Sequence, residues 1–132
     1  MDHAPTYTLI FIALLALMSV PMAIAVGLRR ARTGIMMLAG EDDDLLRRIR
    51  AHANFTEYVP LALLALAGAE IAGAPPWLVI GCGTLLLGAR LIHYISLRRN
   101  PNGLGRLIGT LLTTLTIFTL SGAILLLAAG LV

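Results

Sequence analysis

An all-α membrane protein built as one bundle of four helices is the fold class that this sequence predicts, and three observations predict it. Of 132 residues, 58% are hydrophobic, well above the roughly 45–50% usual in soluble domains. The apolar residues gather into four stretches, and a hydrocarbon core of roughly 30 Å takes about 20 helical residues per crossing. Only 13% of residues are charged and the mean hydropathy is +0.89, which argues against a disordered chain or an ordinary soluble domain.

The first stretch covers residues 5–28. Met1-Asp2-His3 carries no basic segment, and the apolar run is followed by Arg29 and Arg30, so it reads as a retained span and not as a cleaved leader. Pro21 removes a backbone donor inside it and predicts a kink. The second span covers residues 55–73, but its helix should begin earlier, in water. Glu41-Asp42-Asp43-Asp44 suit a helix N-terminus, with Asp43 and Asp44 four residues before Arg47 and Arg48. Ala74-Pro75-Pro76 ends it and turns the chain. The third span covers 76–97, with Trp77 and Tyr94 placed for the two interfaces. After a turn at Pro101-Asn102-Gly103 the fourth covers 104–129. It carries Gly105-x-x-x-Gly109 and a run of hydroxyl residues from Thr110 to Ser121, which favours close helix packing.

The connections 29–54 and 98–103, with the span ends beside them, hold all ten arginines, whereas the opposite side holds only Asp2, His3 and Glu70. Positive-inside bias therefore predicts both connections in the cytoplasm and both termini outside. The net charge of +3 is too small and too scattered for nucleic-acid binding. Residues 1–132 form a single domain without repeats. One cysteine, Cys82, excludes an internal disulfide or thiol relay and reads as a small packed residue. The few histidines and this cysteine form no metal-ligand set. Met36-Met37 read as the core of a short folded segment, and Glu70 as a solvated end residue.

Charges at membrane depth carry the functional signal, because an arginine or aspartate near the bilayer centre costs about 2.5–3.5 kcal/mol on insertion scales. Arg90 lies about 10 Å inside the cytoplasmic end of the third span, and Glu57 lies near the same end of the second, so the two are placed to meet across a helix pair. Arg47, Arg50, Asn54, Glu57 and Leu61 follow a spacing of three to four and share a helix face. Arg90, His93 and Leu97 form a second column, and Arg106 opens the fourth helix from the same side. Two readings stay open: a site for a small zwitterion with carboxylates, or an ion pair that locks the bundle while the other arginines fix topology.

The stretch Arg47-Arg48-Ile49-Arg50-Ala51-His52-Ala53-Asn54-Phe55-Thr56-Glu57-Tyr58-Val59-Pro60-Leu61, with Arg90 and Arg106 downstream, resembles the MAPEG family, the membrane-associated proteins in eicosanoid and glutathione metabolism. The likeness covers essentially the whole chain and implies a bacterial-type member in the inner membrane. It also implies a homotrimer that binds glutathione as co-substrate between subunits, near the cytoplasmic face. On that resemblance Arg50, Asn54, Glu57 and Tyr58 contact glutathione, with Glu57 taking its ammonium and Arg50 a carboxylate. Arg30 holds a carboxylate, Arg90 and His93 belong to the same pocket, and Arg106 stabilises the thiolate. A nearby guanidinium favours a thiol's anionic form. His93, Leu97 and Leu111 stand where the eicosanoid synthases carry pocket tyrosines, which argues against eicosanoid synthesis. The resemblance thus implies a glutathione transferase or peroxidase-like protein acting on a hydrophobic small molecule from the bilayer. Its rivals are a non-catalytic trimer that binds lipid or another anion, and a small four-span transporter.

Overall fold

The computed structural model describes residues 4–100 and 102–131. Four helices follow one another: α1 (Thr6–Thr33), α2 (Asp43–Ile71), α3 (Pro76–Arg99) and α4 (Leu104–Ala128). The readings placed on residues 1–3 and on Pro101 lie outside the described residues. Helices α2 and α3 form the centre, and α1 and α4 flank them without touching each other.

Each boundary has a local cause. Helix α1 runs five residues past the expected apolar stretch and stops where Gly34, at φ +72°, donates its N–H to the Arg30 carbonyl at 2.9 Å, a backbone conformation that glycine adopts without strain. Helix α2 starts in the acidic run, as its composition predicts, with the Asp42 carboxylate accepting from Leu45 N–H at 2.9 Å. Gly73, at φ +95°, and Pro75 close the turn into α3, which has Pro76 at its first position.

Leu15, Met22, Phe55, Val59 and Leu86 form one part of the core, and Phe11, Leu66, Val79, Cys82 and Leu120 the other. Most of the outer surface is apolar. Leu17, Leu64, Phe118 and Leu125 are exposed, and α1, α3 and α4 are each long and apolar enough to cross a membrane. Asn54, Thr56, Glu57, Pro60 and Glu70 dilute the apolar character of α2. That helix nevertheless lies beside α1 over its length: Glu70 meets Thr8 at one end, and Arg48 Nη1 donates to the Ala25 carbonyl at 3.3 Å at the other. The chain is a helical membrane protein.

Close packing of α3 and α4 rests on the glycine pair foreseen in the sequence. A Cβ on Gly109 would lie 2.6 Å from Cβ of His93 and 2.7 Å from the Ala89 carbonyl oxygen, and one on Gly105 would press on Ser96. Both glycines therefore serve contacts within the chain. The Thr110, Thr113, Thr114 and Thr116 hydroxyls donate back to carbonyls one turn earlier in α4, so they satisfy themselves within apolar surroundings.

Four readings of the sequence are corrected here. Glu70 is not a solvated end residue: its carboxylate accepts from Tyr7 N–H at 2.9 Å, Thr8 N–H at 2.8 Å and the Thr8 hydroxyl at 2.6 Å, capping a helix other than its own. Met36 and Met37 are not a small core. They are 75% and 80% exposed, because Arg30 Nη1 ties the loop down through its backbone, donating to the carbonyls of Ile35 at 3.0 Å and Leu38 at 2.9 Å. Tyr94 packs against the core, whereas Trp77 is 72% exposed as an interfacial aromatic would be. Finally, Asp44 pairs with Arg48 as its spacing predicts, but Asp43 and Arg47 form no ion pair.

Asp44 instead centres a clasp among three helices. It meets Arg98 at 2.7 Å, Arg48 at 2.8 Å and Arg29 at 3.5 Å, while Arg29 also meets Asp42 at 2.9 Å. The hydrogen bond from Leu45 N–H holds the Asp42 carboxyl below its ordinary value against a smaller effect of burial, with Arg29 assisting. Burial works against ionisation of Asp44, but the hydrogen bonds and charges of Arg98 and Arg48 outweigh it and also lower its pKa.

Carboxylates depressed in the folded state contribute stability above their unfolded value of about 3.9 and lose it as pH falls through the folded value. Thermal melts in detergent are therefore expected to be flat down to about pH 5 and to weaken below about pH 4, with Asp44→Asn flattening that acid slope. Replacing the cap, Glu70→Ala, is expected to cost roughly 1–2 kcal/mol in the same assay, because two backbone donors of α1 lose their acceptor.

Candidate functional site

At the end of the bundle that carries the clasp, α2, α3 and α4 enclose a cavity of about 550 Å³, open on one side. Helix periodicity builds its walls. Asp43, Leu46, Arg47, Arg50 and Asn54 descend one face of α2, His93 and Leu97 face them from α3, and Arg106 and Thr110 come from the start of α4. Its size lies within the range of small-molecule sites, about 300–1,000 Å³.

Apart from Arg32 and Arg99, which neither pair among the described residues nor line the cavity, the arginines divide by what they already hold. Arg29, Arg48 and Arg98 serve the clasp, and Arg30 holds the loop after α1. Arg90 is buried. Arg47, Arg50 and Arg106 make no side-chain hydrogen bond or ion pair among the described residues, and all three line the cavity. Three uncommitted guanidiniums against one carboxylate make it a receptor for anions, because each guanidinium is permanently charged and matches a carboxylate in two-point geometry. Arg106 lies in the first turn of α4, where the positive end of the helix dipole adds to its charge.

Beneath this cavity lies Arg90, only 2% exposed. Its Nη1 donates to Asn54 Oδ1 at 2.9 Å and its Nη2 to the Gly109 carbonyl at 3.0 Å. Its guanidinium carbon sits 5.9 Å from the centre of the Tyr58 ring, within range of a cation–π contact. Nε has no partner. The expected pairing of Arg90 with Glu57 is absent. Asn54 and Tyr58, one turn apart, flank Arg90, while Glu57 lies two residues from both Phe55 and Val59, which are buried. At about 100° per residue it therefore points away from that buried stripe, on the exposed face that Arg50, two turns earlier, also occupies.

Of the residues singled out in the sequence, the fold brings Arg47, Arg50, Asn54, His93, Leu97 and Arg106 to the cavity. Arg90 and Tyr58 support it from below through Asn54. Glu57 and Arg30 are not among its lining. Asp43 and Thr110 line it without having been foreseen there, and both were legible: each continues an identified column by one helical turn, Asp43 before Arg47 and Thr110 after Arg106.

A buried charge with few acceptors makes those acceptors costly to remove. Asn54→Ala is expected to lower stability in detergent by about 1–3 kcal/mol. The same change in an Arg90→Met background, where no cation remains to be satisfied, is expected to cost much less. Glu57→Gln should leave the melt unchanged, and a loss equal to that of Asn54→Ala would restore the Glu57 pairing.

Comparison with known proteins agrees with this architecture. Inner membrane protein YecN, from two strains of Escherichia coli, is 42% identical to the chain over 55 residues, and this match spans 42% of the chain and 42% of each relative. The MAPEG family matches over residues 8–126, a span that includes all four helices nearly in full. The chain belongs to the MAPEG family.

Proposed function

We propose that this protein binds glutathione in the cavity between α2, α3 and α4 and activates its thiol toward lipophilic electrophiles that partition from the bilayer. The observation that carries the reading is the convergence of Arg47, Arg50 and Arg106, uncommitted to the fold, on one cavity of about 550 Å³. Glutathione offers two carboxylates and a thiol that becomes a third anion. Arg47 and Arg50, one turn apart on α2, suit the carboxylates. Arg106 suits the sulfur, since its charge and the start of α4 both favour the thiolate. His93 and Asn54 supply further polar contacts beside them.

Held in place, the thiolate attacks an electrophilic carbon, forming a carbon–sulfur bond as a leaving group departs or a proton is taken up. Binding the tripeptide and an apolar partner together raises their effective concentration. The same proposal has all four helices crossing the inner membrane, with the cavity on the cytoplasmic side and both termini outside. The distribution of arginines supports that orientation. It also includes assembly as a homotrimer, which gives Glu57 a protein neighbour on the outward face of α2.

Leu97 lies in the cavity wall, where the eicosanoid synthases are expected to carry tyrosine, and this favours a second reading: an anion-binding trimer without catalysis. A difference titration of thiolate absorbance with glutathione separates the two. Saturable thiolate formation in the wild-type protein, lost in Arg106→Ala with affinity changed by less than about tenfold, is the expected result. Absence of binding at millimolar glutathione would overturn the glutathione reading, and binding without thiolate would leave the non-catalytic one.

A further inference from the structure

A second pocket, of about 250 Å³, lies along α1 where that helix meets the start of α2. Pro21, Ile24, Leu28 and Arg32 follow one another at intervals of three and four residues, so they form a single row on α1. Ile24 and Leu28 are each 54% exposed and make an apolar floor, and Arg29, Arg32 and Arg48 make the rim. Two of the three are held in place by contacts already described: Arg29 by Asp42, and Arg48 by Asp44 and the Ala25 carbonyl. Those contacts leave Arg29 Nη1 and Arg48 Nη2 without partners among the described residues. Arg32 is exposed and pairs with nothing among the described residues. The clasp sets three arginines against two carboxylates, so it does not cancel the charge of the rim, and Arg32 adds to that charge.

An apolar floor beneath a cationic rim matches an amphiphile with an anionic head. Its depth matches as well. The arginines begin directly after Leu28, where the apolar run of α1 ends, so the rim stands at the level of lipid phosphates while the floor runs into hydrocarbon. From Pro21 to Leu28 the helix rises about 10 Å, the upper part of one acyl chain. With less than half the volume of the cavity between α2, α3 and α4, the pocket takes a headgroup and leaves the chains on the open surface. We propose that it binds the phosphodiester of an anionic phospholipid, with Arg32 as the cation reserved for it and the free ends of Arg29 and Arg48 completing its shell. One acyl chain lies along Leu28, Ile24 and Pro21. Basic pockets between helices at a membrane surface recognise such headgroups. This site shares no residue with the other cavity and does not depend on the glutathione reading.

The test titrates the detergent-solubilised protein with phosphatidylglycerol and with phosphatidylcholine of identical acyl chains, and reads bound lipid by native mass spectrometry. Wild type is expected to retain phosphatidylglycerol roughly tenfold more tightly, the effect of one charge-assisted hydrogen bond. In Arg32→Gln the two lipids should bind within about twofold of each other, and Arg32→Lys, which keeps the charge, should retain most of the preference. The lipid-free melt of Arg32→Gln should match wild type, because the side chain holds nothing in the fold. Arg99→Gln, which removes an exposed arginine outside the pocket, should keep the preference. Equal retention of both lipids by wild type, or a preference that survives Arg32→Gln, would overturn the site. An equal loss in Arg99→Gln would replace it with diffuse surface charge. Displacement of the lipid by an equal concentration of glycerol phosphate would overturn the phospholipid as its occupant and leave a site for a soluble phosphate.

Discussion

A permanently charged guanidinium sits inside an apolar bundle, and the arrangement of three helices follows from satisfying it. Arg90 extends from α3, takes an amide oxygen from α2 and a main-chain oxygen from α4, and lies near the Tyr58 ring. Each contact fixes a register. The Gly109 carbonyl is reachable because α3 and α4 approach so closely that no side chain fits at Gly109. Asn54 is within reach because the buried stripe of Phe55 and Val59 turns α2 that way. Desolvation makes unmet donors costly, so a slip of one residue in any of the three helices would be strongly disfavoured.

That interaction also determines where chemistry can happen. With Arg90 neutralised by dipoles and an aromatic face, the apolar core closes below Asn54 and the cavity opens above it. Of the other arginines, Arg29, Arg30, Arg48 and Arg98 are held by Asp42, Asp44 and loop carbonyls, Arg47, Arg50 and Arg106 line the cavity, and Arg32 and Arg99 do neither. The clasp contributes indirectly: by absorbing Arg48 and Arg98 it leaves the α2 column of Asp43, Arg47 and Arg50 clear of competing partners.

Hydropathy made the helices legible, and the acidic run and the Ala74-Pro75-Pro76 segment marked their ends, because these signals are local. Most of the cavity was legible for the same reason, since Arg47, Arg50, Asn54, His93, Leu97 and Arg106 follow helical periodicity on three elements. The misreadings concern relations between elements. Lying near the same end of neighbouring helices paired Arg90 with Glu57, whereas the angle around α2 brings Asn54 and Tyr58 to Arg90 instead. The tie of Arg30 to the loop was not legible either, because it depends on a turn with Leu38 at φ +55°, which composition does not encode. Glu70 looked solvated because its partners lie 62 and 63 residues away.

The long separation of Glu70 from Thr8 bears on how the chain is assembled as it is made. When α1 emerges, its leading amides have no carboxylate to accept them, for that carboxylate belongs to a segment not yet synthesised. Only after α2 has been laid back along α1 does Glu70 arrive at the far end. The latch thus joins the first turn of α1 to the last turn of α2, so a chain that ends before Glu70 leaves those amides without their acceptor.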